Sequence, residues 1–403
     1  MGKVGSEHTV GDEMAGRERT LGDADGTVAG LLSFCRPLEP AEEAELKAWL
    51  RSEGATDEFI AAAGLDPNRV AVDLALQEGE TLSARDIAKL RGVEPSHIVD
   101  VFNSAGVAVP DVDDVRFTEF DAEFVSVAEA AGVLKAADGR ALMRAVATAL
   151  DRVAEAAVAY YVQGTEARME REHEDPVIWA KETARMTGLA GKLGHGMGLL
   201  FRHHLRQAID RQRISQLQVA SRDVARMAIG FVDLVGSTAL AQTLDVAELR
   251  KVVTQFESRA FDVAVRHGGR VVKFIGDEIM VAAVDPEAAC RLMLALVEAC
   301  TTGDLEPRGG LSYGELLFRG GDYYGPEVNL AARLVDATVP GEVLVDCSVV
   351  NAVEALKTSD RRLPVTGCPN NLVFDPGGRR VLKGFADPVT VWTVRCDAAE
   401  LPA

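Results

Sequence analysis

Arg226-Met227-Ala228-Ile229-Gly230-Phe231-Val232-Asp233-Leu234-Val235-Gly236-Ser237-Thr238 is the stretch on which the second half of the chain turns. The apolar run 227–232 reads as a buried strand, and it ends in a carboxylate followed at once by a small-residue turn that opens a helix. Beyond it, Val246 to His267 reads as a helix and Gly269 to Phe274 and Ile279 to Val284 as two strands around Gly276-Asp277. Pro286 to Cys300 is a helix with proline in its first turn. Gly309 to Phe318 is a further strand and Val328 to Ala337 a further helix, with short strands at 343–345, 381–382 and 389–394. The order β-α-β-β-α-β is that of an α+β, ferredoxin-like sandwich with additions at its C-terminal end.

On the other side of Arg226 the pattern is different. From Thr27 to Gln218 the apolar spacing is helical nearly throughout, which predicts an all-α domain. Pro40-Ala41-Glu42-Glu43 opens a helix carrying Leu46, Trp49 and Leu50, and Ser83 with Asp86 has the form of a capping box. Leu142, Val146, Leu150, Val153, Ala157, Tyr160 and Tyr161 mark a long helix over 139–163, and a second covers 175–218. Leu82 to Gly106 reads like a helix-turn-helix with Gly92 at the turn. Its Arg85, Lys89 and Arg91 are offset by Asp86, Glu94 and Asp100, so a structural helix pair is expected and no nucleic-acid partner.

The expected organisation is a multidomain chain: a disordered tail at 1–26, a helical domain at 27–200, a basic helical linker at 201–226 and the α+β domain at 227–403. The linker holds Arg202, Arg206, Arg211, Arg213, Arg222 and Arg226 against Asp210 and Asp223. The 403 residues suffice for two or three cores. With 43 Lys and Arg against 62 Asp and Glu the net charge is -19, which disfavours general attraction to nucleic acid or anionic membranes. Cys35, Cys290, Cys300, Cys347, Cys368 and Cys396 form no C-x-x-C pair, which fits neither a zinc site nor a disulfide framework and points to a reducing, cytoplasmic setting. No apolar stretch is long enough to suggest a membrane span. Met1-Gly2-Lys3-Val4-Gly5-Ser6 matches the myristoylation pattern, a short motif that chance often produces.

Three stretches carry candidate chemistry. Asp233 at a strand end can hold a hard cation, and the amides of Val235, Gly236, Ser237 and Thr238 open a helix where phosphate oxygens bind; alternatively Asp233 is a structural cap. In Lys273-Phe274-Ile275-Gly276-Asp277, Asp277 is either a hairpin turn residue or a second carboxylate sharing a pair of Mg²⁺ ions with the first. In Asp322-Tyr323-Tyr324-Gly325-Pro326-Glu327-Val328-Asn329-Leu330-Ala331-Ala332-Arg333, Asn329 and Arg333 project from one helix face, where Asn can fix a ribose oxygen and Arg can stabilise phosphoryl transition-state charge.

Together F-x-D-L-x-G-S-T, K-x-x-G-D and D-x-x-G-x-x-V-N-x-A-x-R, in that order over residues 222–396, resemble the class III nucleotidyl cyclases. The resemblance implies an adenylate cyclase that makes cyclic AMP and pyrophosphate from ATP. It implies that Asp233 and Asp277 bind two Mg²⁺ or Mn²⁺ ions, and that Lys273 and Asp322 read the adenine N1 and N6. Asn329 and Arg333 then orient the ribose and stabilise the transition state, and Lys383 contacts the triphosphate. It also implies a head-to-tail homodimer, in which Asp233 and Asp277 of one subunit meet Lys273, Asp322, Asn329 and Arg333 of its partner. A guanylyl or mixed-specificity cyclase is the alternative within the family, although there a Glu and a Cys-type residue commonly replace the Lys and Asp. A catalytically silent signalling or DNA-binding module on the same fold is the alternative outside it. The helical half resembles the N-terminal regulatory domain of soluble bacterial two-domain adenylyl cyclases, through Ser83-Ala84-Arg85-Asp86-Ile87 and Gly92-Val93. His195, His203 and His204 near the linker are candidate proton sensors. An apolar ligand around Val146 to Val162 is a second candidate signal, beside plain core packing there.

Overall fold

A computed structural model describes residues 38–63, 67–76, 81–132, 137–172, 175–216, 224–301, 305–357 and 371–397. The expected tail, the Met1–Ser6 pattern, Cys35, Cys368 and residues 217–223 of the linker lie outside the described residues. The chain divides into two compact units, one of residues 1–81 and 154–192, the other of 82–153 and 193–403. No described helix is long and apolar enough to cross a membrane.

The first unit holds α1 (Pro40–Ser52), α2 (Asp57–Ala63) and α3 (Pro67–Leu76). Leu46 and Leu50, one turn apart on α1, pack with Ile60, Ala71, Val177 and Ala180. In the second unit β1 (Leu82–Ser83) leads into α4 (Ala84–Arg91) and α5 (Pro95–Ser104). Ser83 and Asp86 form the expected capping box, and Gly92 ends α4 in the left-handed conformation at φ 67°. This half is not all-α. β2 (Val115–Phe117) pairs antiparallel with β1, because Phe117 stacks on Phe102 at 4.5 Å between ring centroids and so draws its strand onto the helix pair.

α6 (Glu119–Ala130) and the 25-residue α7 (Ala137–Tyr161) follow. A π-helical turn, Val162–Glu166, leads to α8 (Ala167–Glu172), and α9 (Pro176–Gln216) runs for 41 residues. Met143 of α7 is buried with Phe102, Phe117 and Val125, whereas Leu142, Val146, Leu150, Val153 and Val158 are all exposed. Helical spacing places them in a stripe whatever covers that stripe, so periodicity alone could not tell burial from exposure.

From residue 224 the sandwich forms as expected. β3 (Val224–Val235) is followed by α10 (Ser237–Thr243), α11 (Val246–Arg266), the hairpin of β4 (Arg270–Ile275) and β5 (Glu278–Ala283), then α12 (Pro286–Cys300) and β6 (Glu306–Arg319). β7 (Asp322–Tyr324), α13 (Pro326–Asp336), β8 (Val343–Asp346), α14 (Cys347–Lys357), β9 (Leu372–Arg380) and β10 (Val389–Cys396) complete it. The sheet order is β4-β5-β3-β6-β8-β10-β9, with β7 on β6, and every pairing is antiparallel except β6 with β8. The strand expected at 381–382 is absent. Val381 is exposed and Leu382 is buried in a turn, while the strand lies upstream at β9, masked in the sequence by its own Pro376-Gly377-Gly378.

Alternation along β3 sends Ala228, Val232 and Leu234 toward α11, α12 and α14, and Met227, Ile229 and Phe231 toward α13. On the second face α13 lies so close to β6 that a Cβ on Gly310 would stand 2.4 Å from the Ala331 carbonyl oxygen and 2.6 Å from the Val335 amide nitrogen. Only glycine allows this approach, because both atoms belong to the helix backbone and cannot rotate away. Gly310→Ala is expected to lower stability by roughly 1–3 kcal/mol through forced overpacking, and to displace the helix that carries Asn329 and Arg333. Urea denaturation checks it; an unchanged midpoint would show that the helix shifts without cost.

Candidate active site

Asp233, near the C-terminal end of β3, stands in register with Glu278 at the head of β5 and with Arg308 on β6. Nε and Nη2 of Arg308 both donate to Asp233 Oδ2, at 3.0 and 2.8 Å, and its Nη1 donates to the Thr338 carbonyl at 3.3 Å. The two side chains are only 24% and 23% exposed, so this is a half-desolvated, charge-assisted pair rather than a surface one. Asp277 sits in the two-residue turn between β4 and β5, where Gly276 supplies φ 65°. Its carboxylate accepts a hydrogen bond from the hydroxyl of Ser237, the first residue of α10. Gly236 caps that helix in the left-handed conformation, φ 93°, so the turn after β3 is tied to the β4–β5 hairpin.

Glu278 records how much negative charge gathers here. Burial first, then the carboxylates of Asp233, Asp336 and Asp277, push its carboxyl up to about 7, against the opposing pull of Arg308. Among the described residues no three His, Cys, Asp or Glu side chains are grouped closely enough to hold a metal by themselves. Two carboxylates completed by substrate phosphate oxygens are nevertheless the usual protein share of a Mg²⁺ site, and the all-oxygen donor set suits Mg²⁺ or Mn²⁺. Asp233 and Asp277 therefore fit such ions.

The remaining expected residues fall into two groups. Lys273 on β4 forms an ion pair with Asp322 on β7. Asn329 and Arg333, one turn apart on α13, line a cavity of about 800 Å³ with Tyr324, Pro326, Lys383 and Phe385. Arg333 Nη1 donates to Asp336 Oδ2 at 2.8 Å in a largely exposed pair that holds it only weakly. Asp233 and Asp277 are not among the residues lining that cavity. His203 and His204 are exposed on α9, whereas the side chains of His195 and Thr238 lie outside the described residues.

A family model for the adenylate and guanylate cyclase catalytic domain matches residues 219–368. An uncharacterized protein of Mycobacterium tuberculosis (strain H37Rv) is 30% identical over 311 residues, 76% of this chain and 82% of its own length. The chain belongs to the class III nucleotidyl cyclases. An adenylate cyclase of Glutamicibacter nicotianae is 40% identical over 128 residues, 31% of this chain and 32% of its own length. A pH-sensitive adenylate cyclase of M. tuberculosis (strain CDC 1551) is 26% identical over 399 residues, 97% of this chain and 94% of its own length.

Within this cyclase, Arg308 and Glu278 are site residues that spacing did not single out. Arg308 escaped because β6 begins at Glu306, three residues ahead of the expected Gly309, so the arginine fell outside the strand. Glu278 was legible in principle, since it follows Asp277 and opens a strand that must pair with the one ending in Asp233.

The folded chain holds a proton on Glu278 that the unfolded chain releases above its ordinary 4.5. The stability this confers is complete at low pH and is lost as pH rises through the folded value near 7. In EDTA, Glu278→Gln is expected to gain stability relative to wild type between about pH 5 and pH 8, by about 1–2 kcal/mol once solvent exposure is allowed for. Urea titrations of both proteins measure it, and parallel stability curves would refute it.

Proposed function

We propose that this class III cyclase converts ATP to 3′,5′-cyclic AMP and pyrophosphate in a homodimer, with its N-terminal half regulating the rate. In this reading residues 227–403 are the catalytic domain, 201–226 a basic linker, 27–200 the regulatory domain and 1–26 a tail. The observation that carries the choice of ATP is the Lys273–Asp322 pair, a donor and an acceptor held side by side. The ammonium of Lys273 donates to adenine N1 and the carboxylate of Asp322 accepts from the N6 amine; guanine reverses both roles at those positions. The adenylate cyclases among the relatives support the same choice.

Asn329 orients the ribose, Arg333 stabilises charge on the reacting α-phosphate, and Lys383 in the same cavity takes the terminal phosphates. Arg308, already a ligand of Asp233, can turn to the phosphates when that carboxylate is taken over. Mg²⁺ or Mn²⁺ held by Asp233 and Asp277 would supply charge neutralisation and a more acidic 3′-hydroxyl. The amides of Val235, Gly236, Ser237 and Thr238 at the start of α10 add donors for phosphate oxygens. In the homodimer of this reading, Asp233 and Asp277 of one subunit complete the site that carries Lys273, Asp322, Asn329 and Arg333 of its partner; that neither aspartate lines the cavity of Asn329, Arg333 and Lys383 agrees with it.

For regulation, a pH-sensitive relative that aligns along 97% of the chain supports proton control. His203 and His204, exposed on α9 beside Arg202 and Arg206, are the candidate sensors, with His195 on the same helix.

Purified full-length protein with ATP and Mn²⁺ is expected to yield cyclic AMP, and Asp277→Ala to lose at least about a hundredfold in rate. No product, or undiminished product from the variant, would refute the reaction. Lys273→Glu combined with Asp322→Cys is expected to move the preference toward GTP. If His203 and His204 sense protons, their replacement by Asn flattens the activity profile between about pH 6 and pH 8; an unchanged profile would remove them as sensors.

A further inference from the structure

β4 and β7 both contribute to the base-reading pair, yet they share no backbone hydrogen bonds. β4 lies at one edge of the sheet beside β5, while β7 pairs with β6, and β5 and β3 lie between β4 and β6. The hairpin through Gly320-Gly321 brings β7 over the sheet face formed by Phe231, Met280, Ala282 and Leu316, on which Tyr323 is buried.

Two side-chain ties then cross from β4 to β7. One is the Lys273–Asp322 ion pair. The other is the guanidinium of Arg270, whose Cζ stands 5.1 Å from the centroid of the Tyr323 ring. A bulge between Val271 and Lys273 makes the second tie possible. Arg270 opposes Ala282 and Lys273 opposes Met280, so two residues three apart emerge on the same face. The Nε of Arg270 is buried without a hydrogen-bond partner among the described residues, and the Tyr323 ring lies against its guanidinium.

The ties differ in what substrate does to them. To grip a purine, Lys273 must aim an N–H and Asp322 an oxygen at the base, which loosens their contact with each other. The stack of Arg270 on Tyr323 touches neither base-reading atom and can persist. We propose that Arg270 is a positioning residue: stacked on Tyr323, it holds β7 over β4 when the Lys273–Asp322 pair opens, and so sets the spacing at which that pair recognises adenine. The guanidinium of Arg211, on α9, is pushed below its ordinary value by burial first and then by the charge of Arg270.

The inference rests on Lys273 and Asp322 reading the base, and its test includes binding so that it does not depend on turnover. Equilibrium binding of ATP and of GTP in Mn²⁺, together with KM and kcat, is measured on the full chain and on Arg270→Met, Arg270→Lys, Tyr323→Leu and the Arg270→Met/Tyr323→Leu double variant. Thermal midpoints identify any variant that fails to fold. Arg270→Met is expected to weaken ATP binding and raise its KM about three- to thirtyfold, with kcat nearly unchanged and GTP binding hardly altered, so that discrimination falls. Arg270→Lys keeps a cation over the ring and recovers most of the loss. The double variant is no worse than Tyr323→Leu alone, because one contact is removed once. Undiminished discrimination in folded Arg270→Met, or strictly additive losses, would overturn the proposal. A wild-type chain that binds ATP over GTP but makes no cyclic AMP would overturn the reaction instead, and the binding ratios would still decide the role of Arg270.

Discussion

β3 is paired on both sides, with β5 over six positions and with β6 over twelve, and the rest of the catalytic half depends on that register. A slip of one residue would turn Asp233 away from Arg308 and into the apolar layer of Val232, Leu234 and Ile279 beneath α11 and α12. An ionised carboxylate there, with no cation beside it, would cost several kcal/mol. Both faces of β3 are covered by apolar layers, so its continuous apolar run would suit either face and the charge of Asp233 selects the register. That selection places a carboxylate, its arginine and Glu278 at one end of the sheet.

The chain manages an acidic substrate despite a net charge of -19 by neutralising its site charges locally. Asp233 is paired with Arg308, Lys273 with Asp322, and Asp277 accepts from Ser237. In the proposed reading each of these contacts involves a group that takes metal or nucleotide, so binding would be an exchange of partners rather than the filling of vacant positions, its net free energy a difference between comparable charge-assisted contacts. A ligand that satisfies only one member of a pair leaves the other half-buried and unmatched, and this asymmetry penalises the wrong base more than it rewards the right one.

Element order, the α+β class and the helix boundaries were legible where local rules act alone. α12 spans Pro286–Cys300 as read, because Pro286 begins it and the Asp285 carboxylate accepts from the amides of Glu287 and Ala288. The Ser83–Asp86 box was legible for the same reason. What escaped depends on contacts distant in sequence. β2 exists because Phe117 finds Phe102, β7 because the hairpin folds it back on β6, and β9 although turn residues interrupt it. The candidate site residues were named from motif order. Which of them touch was not legible: spacing along the chain does not reveal a β4–β7 contact between strands that are not neighbours, nor an arginine one residue ahead of an expected strand.

β6 carries both halves of the site within one chain. Arg308 holds Asp233 at one end of it, and Gly310, two residues on, is the seat of the helix that bears Asn329 and Arg333. The same strand pairs with β7 through Leu317, Phe318 and Arg319, which places Asp322. Carboxylates, helix face and base-reading strand are thus fixed to one another through a central backbone with neighbours on both sides, while the two β4–β7 ties rest on side chains alone. Side-chain ties can open and reclose without breaking a sheet ladder. Under the proposed assignment, a site built this way has a rigid frame for phosphates and ribose and an adjustable end for the base.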